Sequence, residues 1–183
     1  MSSNPEVLAQ AEHLKGKVVA VTCATSPLGE ALCEHAAKAG ASVFALDSDP
    51  TALAQQSISF RQNKLRLRPM PCDFTSQESI LNAVQEIVSH APPIDFWIHA
   101  EALAPADLHR LLPAMHVFGL HFDMRGKGKF LLLGANAKPD DLEKAISDAL
   151  PIETFTEKAK IEVFIPTETS PSLIASAAIT RLA

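Results

Sequence analysis

Short apolar runs alternate with helix-patterned stretches along this chain, and that alternation limits the possible folds more than any other feature. Lys17–Cys23 reads as a buried strand, Ser42–Asp47 as a second, and Lys64–Cys72 contains a third. Ile94–Ala100, Lys129–Leu133 and Glu162–Ile165 continue the series. Helical patterns fall between and after them, over Pro27–Ala39, from Asp49-Pro50 through about Ser57, over Ser76–Ser89, Asp107–Asp123, Asp140–Leu150 and Pro171–Leu182.

The punctuation supports these elements. Ser26 stands as N-cap before Pro27 at a first helical position, and Gly40 follows the helix end. In Ser76–Ser89 the residues Ile80, Leu81, Val84, Ile87 and Val88 share one face, and Thr75 and Glu78 have capping-box spacing. Asp107–Asp123 is interrupted by Pro113 and Gly119, and Pro151 stops the helix before it. Repeated strand–helix alternation implies a parallel sheet with helices on both faces. Right-handed crossovers then favour the doubly wound order. The expected fold is a Rossmann-like three-layer α/β/α sandwich forming one domain over residues 1–183, with 1–14 as an N-terminal extension.

Composition narrows the function. Hydrophobic residues make up 47% of the 183, enough for a packed core. The net charge of −5 lacks the basic excess of a nucleic-acid binder, and Arg61, Lys64, Arg66 and Arg68 read as a solvated edge. No apolar stretch approaches the ~18 residues of a membrane span. The polar N-terminus lacks a signal-peptide core, so a cytoplasmic protein with neither nucleic-acid nor membrane partners is expected. Cys23, Cys33 and Cys72 do not suggest a disulfide framework, and the chain contains no tyrosine.

Four segments carry more specific information. They are KVVAVTCATSPLGEAL, FALDSDP with Asp47 at a strand end, PCDFTSQES with Asp73, and IDFWIHAEAL. Their order and spacing over Lys15–Leu103 resemble the short-chain dehydrogenase/reductase family, with a weaker likeness over Arg125–Ala183. That family's first turn reads TGxxxGxG. Here Thr22 and Gly29 match its ends, while Cys23 and Pro27 replace glycines. Glycines there admit unusual backbone angles and close approach to a pyrophosphate. Pro27 also lacks one of the N–H groups that bind phosphate at a helix start.

The resemblance implies cofactor contacts from Thr22, Ser26, Leu28, Gly29, Asp47, Asp73, Phe74, His99 and Ala100. Asp47 is placed to bond an adenosine ribose, which favours NAD over NADP, although Asp47 and Asp49 also suit a turn and a helix cap. Asp73 matches an adenine-contacting position and equally suits a helix-flanking turn. His99-Ala100-Glu101-Ala102 stands where the family shows NNAG, so Glu101 puts a carboxylate near the expected diphosphate. The family's Ser, Tyr-x-x-x-Lys and Asn have no counterparts. The fifth strand ends Leu133-Gly134-Ala135-Asn136, and the nearest fit to the Tyr–Lys pair is Asp140 to Lys144. No catalytic residue is assigned.

Compared with the family, the chain reads as shortened after its sixth strand, and Pro151 interrupts a helix that often builds the dimer bundle. Cys23, just before a helix N-terminus, reads as a small strand-end residue, with a reactive thiolate as the alternative. His109, His116 and His121 do not share one helical register, so no metal site is assigned. The leading expectation is a non-catalytic structural or regulatory subunit, binding no cofactor or NAD(H) weakly. Its expected partners are further copies of itself or an active paralogue. The alternatives are an NAD(P)-dependent oxidoreductase with atypical residues such as His99, or a sensor of a small ligand or dinucleotide.

Overall fold

A computed structural model describes residues 12–103, 105–134, 159–167 and 170–182, together with positions 141, 144, 145 and 148. Among these residues six strands form one sheet: β1 (Val18–Thr22), β2 (Ser42–Asp47), β3 (Leu67–Pro71), β4 (Phe96–Leu103), β5 (Gly128–Gly134) and β6 (Ala159–Phe164). Their order is β3-β2-β1-β4-β5-β6, and every neighbouring pair is parallel. This is the Rossmann-like doubly wound arrangement expected from the alternation of elements. The chain reverses its direction of winding between β1 and β4, so the crevice of such a fold opens at the C-terminal ends of those two strands.

The helices are α1 (Pro27–Lys38), α2 (Pro50–Gln62), α3 (Gln77–His90), α4 (Leu112–Arg125) and α5 (Pro171–Thr180), with a short 3-10 segment over Pro105–Arg110. Strand side chains alternate between two cores, as strand geometry requires. Val18, Ala20, Phe44, Leu46, Trp97, Phe130 and Leu132 pack with residues of α3 and α4. Val19, Val21, Val43, Ala45, Ile98, Leu131 and Leu133 pack with residues of α1, α2 and α5. All five residues of β1 are buried, which explains the unbroken apolar run Val18–Val21 before Thr22. β3 lies at the sheet edge, the position that tolerates Pro69 and Pro71.

Several boundaries differ from the sequence expectations for local reasons. α2 runs past Ser57 to Gln62 and ends at a turn in which Lys64 takes a left-handed φ of +60°. The cap of α3 is Ser76, whose hydroxyl oxygen accepts the Ser79 N–H at 3.2 Å. The expected Thr75–Glu78 capping box does not form. Thr75 instead donates through N–H and Oγ1 to Asp73. Pro113 does not break α4, because it occupies the first turn, where its N–H is not needed. Gly119 is buried within that continuous helix. Asp141, Lys144, Ala145 and Asp148 are helical. The rest of the expected Asp140–Leu150 helix, and Pro151, lie outside the described residues.

Candidate functional site

The turn from β1 into α1 is held by a set of internal hydrogen bonds. Cys23 occupies the place of the first motif glycine with a left-handed φ of +55°. A non-glycine residue there is strained by roughly 1–2 kcal/mol. The turn is fixed from three sides. Ala24 N–H donates to the Leu46 carbonyl at 3.2 Å. Ser26 donates to the Cys23 carbonyl through N–H at 3.2 Å and through Oγ at 2.8 Å. The Gln56 side-chain amide donates to the Ala24 carbonyl at 2.9 Å.

Asp47 belongs to the same network. Its Oδ2 accepts Thr25 N–H at 3.1 Å and Thr25 Oγ1–H at 2.8 Å. Its Oδ1 accepts Asp49 N–H at 3.3 Å. The carboxylate that sequence assigns to a ribose therefore clasps the turn. Several donors of the turn are engaged as well. Thr25 N–H faces Asp47, Gly29 N–H meets Ser26 Oγ at 3.0 Å, Glu30 N–H bonds the Ser26 carbonyl, and Pro27 has none. Asp73 follows the same pattern at the end of β3. Its Oδ1 accepts two bonds from Thr75, which hold its carboxyl below the usual carboxylate range.

Gly29 is required by packing. A Cβ there would lie 2.2 Å from the Cys23 carbonyl oxygen and 2.7 Å from Ala24 Cα. This is the glycine whose task in such fingerprints is close helix–strand contact. Leu28 packs against the core shared by α1, and Phe74 against the opposite one.

At the neighbouring strand end, Thr22 pairs with His99 across the β1–β4 ladder. Both are buried. Thr22 Oγ1 lies 2.8 Å from His99 Nδ1 and 3.3 Å from the Ile98 carbonyl. A β-bulge between His99 and Ala102 loosens the ladder and leaves Glu101 exposed, with Oε2 3.7 Å from His99 Nε2. Bulges beside strand ends commonly re-aim a side chain in this way. Cys23 completes the group: its Sγ, a His99 ring nitrogen and a Glu101 oxygen all lie within 4.8 Å of one another. Ala100 is buried between His99 and Glu101.

Sequence reading assigned His99 and Ala100 to a cofactor and set Cys23 and Glu101 apart. It missed their convergence because the three residues carry no local motif and meet only across two strands. The His109, His116 and His121 set is different. His116 and His121 line a cleft between α3 and α4, and the three do not form a ligand cluster among the described residues.

The electrostatics of the turn disfavour charge. Burial, then the Glu101 and Asp47 carboxylates, push the Cys23 thiol up to about 12, so it is not the activated thiolate a helix start can produce. Burial pushes His99 down to about 4. An unfolded chain takes up this proton as pH falls through 6.5, whereas folded His99 stays neutral to about 4. Its contribution is therefore full above the ordinary histidine value and is lost between there and about 4, by on the order of 3 kcal/mol. Urea midpoints compared at neutral pH and near pH 5 are expected to fall more for the native chain than for His99→Gln. Equal falls contradict the assignment.

The fold defines a class, the doubly wound Rossmann-like α/β type. The family model described as short chain dehydrogenase matches residues 17–113, and the chain belongs to that family. A fatty acyl-CoA reductase of Acinetobacter baylyi is 30% identical over 88 residues, covering 48% of this chain. The match covers only 30% of that relative's length. Among solved structures, a metagenomic short-chain oxidoreductase in complex with NADP is similar with a TM-score of 0.75 at 15% identity, covering 92% of this chain and 91% of that one. A short chain dehydrogenase from Mycobacterium smegmatis gives 0.72 at 20%, covering 94% and 87%. Among the described residues no helix is long and apolar enough to cross a membrane.

Proposed function

We propose that this chain is a non-catalytic member of its family, a structural or regulatory subunit that works beside an active paralogue or further copies of itself. The observation that carries the proposal is chemical. The 183 residues contain no tyrosine, so the phenol that would donate a proton to a carbonyl has no source in this sequence. His99 is a poor substitute, because it is neutral and its Nδ1 is engaged with Thr22.

The turn supports the same reading. Thr25, Gly29 and Glu30 direct their N–H groups to internal acceptors, and Glu101 and Asp47 place negative charge where an anion would approach. Dinucleotide binding is therefore weak or absent. A subunit role is supported by an apolar cleft of about 630 Å³ between α3 and α4, lined by Leu81, Val84, Val88, Val117, Leu120 and Met124. Met124 is 90% exposed and Leu120 47%. Large apolar side chains gathered in one exposed patch mark contact surfaces.

The chain purified alone is expected to show no NADH- or NADPH-dependent reduction of aldehydes or ketones. Added to an active member of the family that co-purifies with it, it is expected to alter that enzyme's rate or stability. Clear turnover by the chain alone overturns the proposal.

A further inference from the structure

We propose that Cys23, His99 and Glu101 form a binding site for one divalent transition-metal ion, with zinc the best match to the ligand set. A thiol sulfur, an imidazole nitrogen and a carboxylate oxygen converge within 4.8 Å at the C-terminal ends of β1 and β4. In a tetrahedral zinc site the ligand atoms lie roughly 3.3–3.8 Å apart, as bond lengths of about 2.0–2.3 Å require. His99 Nε2 and Glu101 Oε2 are already 3.7 Å apart. Reaching that spacing asks the widest pair to close by no more than about 1–1.5 Å, and Glu101, whose side chain is 58% exposed on the bulge, is free to move toward the other two.

His99 is built as a ligand. Its side chain is 5% exposed, and its Nε2 is buried without a hydrogen-bond partner. Thr22 Oγ1 lies 3.3 Å from the Ile98 carbonyl and 2.8 Å from His99 Nδ1; with its one hydrogen on the Ile98 carbonyl it accepts from Nδ1–H, the tautomer the proposed site requires. In that tautomer the Nε2 lone pair is free, 3.7 Å from Glu101 Oε2. An outer hydrogen bond on the far ring nitrogen is what fixes metal-binding histidines elsewhere. Cys23 is equally fixed, since its left-handed backbone is held through two bonds to its carbonyl from Ser26. Strained residues held by their surroundings concentrate at functional positions.

Charge gives the same answer. A thiolate and the Glu101 carboxylate carry two negative charges, which a divalent cation neutralises. On binding, the Cys23 S–H bond gives way to a metal–sulfur bond and its proton passes to solvent. Mixed sulfur, nitrogen and oxygen ligation suits zinc, whereas magnesium and calcium take oxygen. Three protein ligands leave a fourth position for water or a small anion.

The test is cobalt(II) titration of the full, tag-free, chelator-stripped chain in a phosphine reductant. One equivalent is expected to bind with a thiolate-to-cobalt charge-transfer band and intense tetrahedral visible bands, and zinc is expected to displace it. Cys23→Ser should abolish the charge-transfer band, while Cys33→Ala or Cys72→Ala retains it. Glu101→Gln, at an exposed position that does not threaten folding, should weaken affinity by about tenfold or more. This second variant decides the matter if Cys23→Ser fails to fold. No saturable uptake by the folded native chain, uptake without the thiolate band, or unchanged affinity in Glu101→Gln overturns the proposal.

Discussion

Replacing Gly29 with alanine is expected to destabilise the protein by about 3 kcal/mol or more, a large share of the roughly 5–15 kcal/mol that holds a domain folded. The added carbon would sit 2.2 Å from the Cys23 carbonyl oxygen and 2.7 Å from Ala24 Cα. Both are backbone atoms, and the turn that carries them cannot retreat. Ala24 is tied to Leu46 and Gln56, and Cys23 to Ser26. Either α1 tilts away from the sheet, exposing Leu32, Cys33 and Ala36, or the turn loses those bonds. Urea unfolding followed by the fluorescence of Trp97, the only tryptophan, reports the loss. A change below about 1 kcal/mol contradicts the packing role.

Trp97→Ala is the second large effect, expected at about 3–5 kcal/mol. The indole is fully buried near the start of β4. It stacks on Phe118 of α4 and meets Phe130 of β5 edge-on, each with ring centroids 5.2 Å apart. Its removal leaves a cavity at the joint between sheet and helix layer. Trp97→Phe should cost less than about 2 kcal/mol. Part of the ring stack survives, and the replacement removes an indole N–H that is buried without a partner. Circular dichroism during urea unfolding distinguishes the two. Similar losses for both variants contradict the stacking argument.

Much of the fold was legible in sequence because its signals are local. β1 is apolar from Val18 to Val21 since both its faces are covered, and Ser26, Pro27 and Gly40 bracket α1. Parallel pairing and handed crossovers then leave few topologies. The misreadings arose where one residue type serves two roles. Pro113 resembled a helix breaker and lies in the first turn of α4, while Thr75 resembled a cap and instead bonds Asp73.

The site was less legible. The motif glycines perform different physical tasks, and a sequence records their loss without showing what replaces them. The packing glycine, Gly29, remains. The position that needs a left-handed angle is filled by Cys23 and held there by its neighbours. Asp47 was visible as an acid at a strand end, but its closure onto Thr25 depends on the depth of the turn. Cys23, His99 and Glu101 share no spacing that a linear reading would notice.

This chain keeps the Rossmann-like scaffold of its family, with the turn from β1 into α1 tied by its own hydrogen bonds. Titration calorimetry of NADH and NADPH into the purified, metal-free chain tests it most directly. The prediction is no saturable heat up to millimolar nucleotide. One-to-one binding in the micromolar range would contradict it.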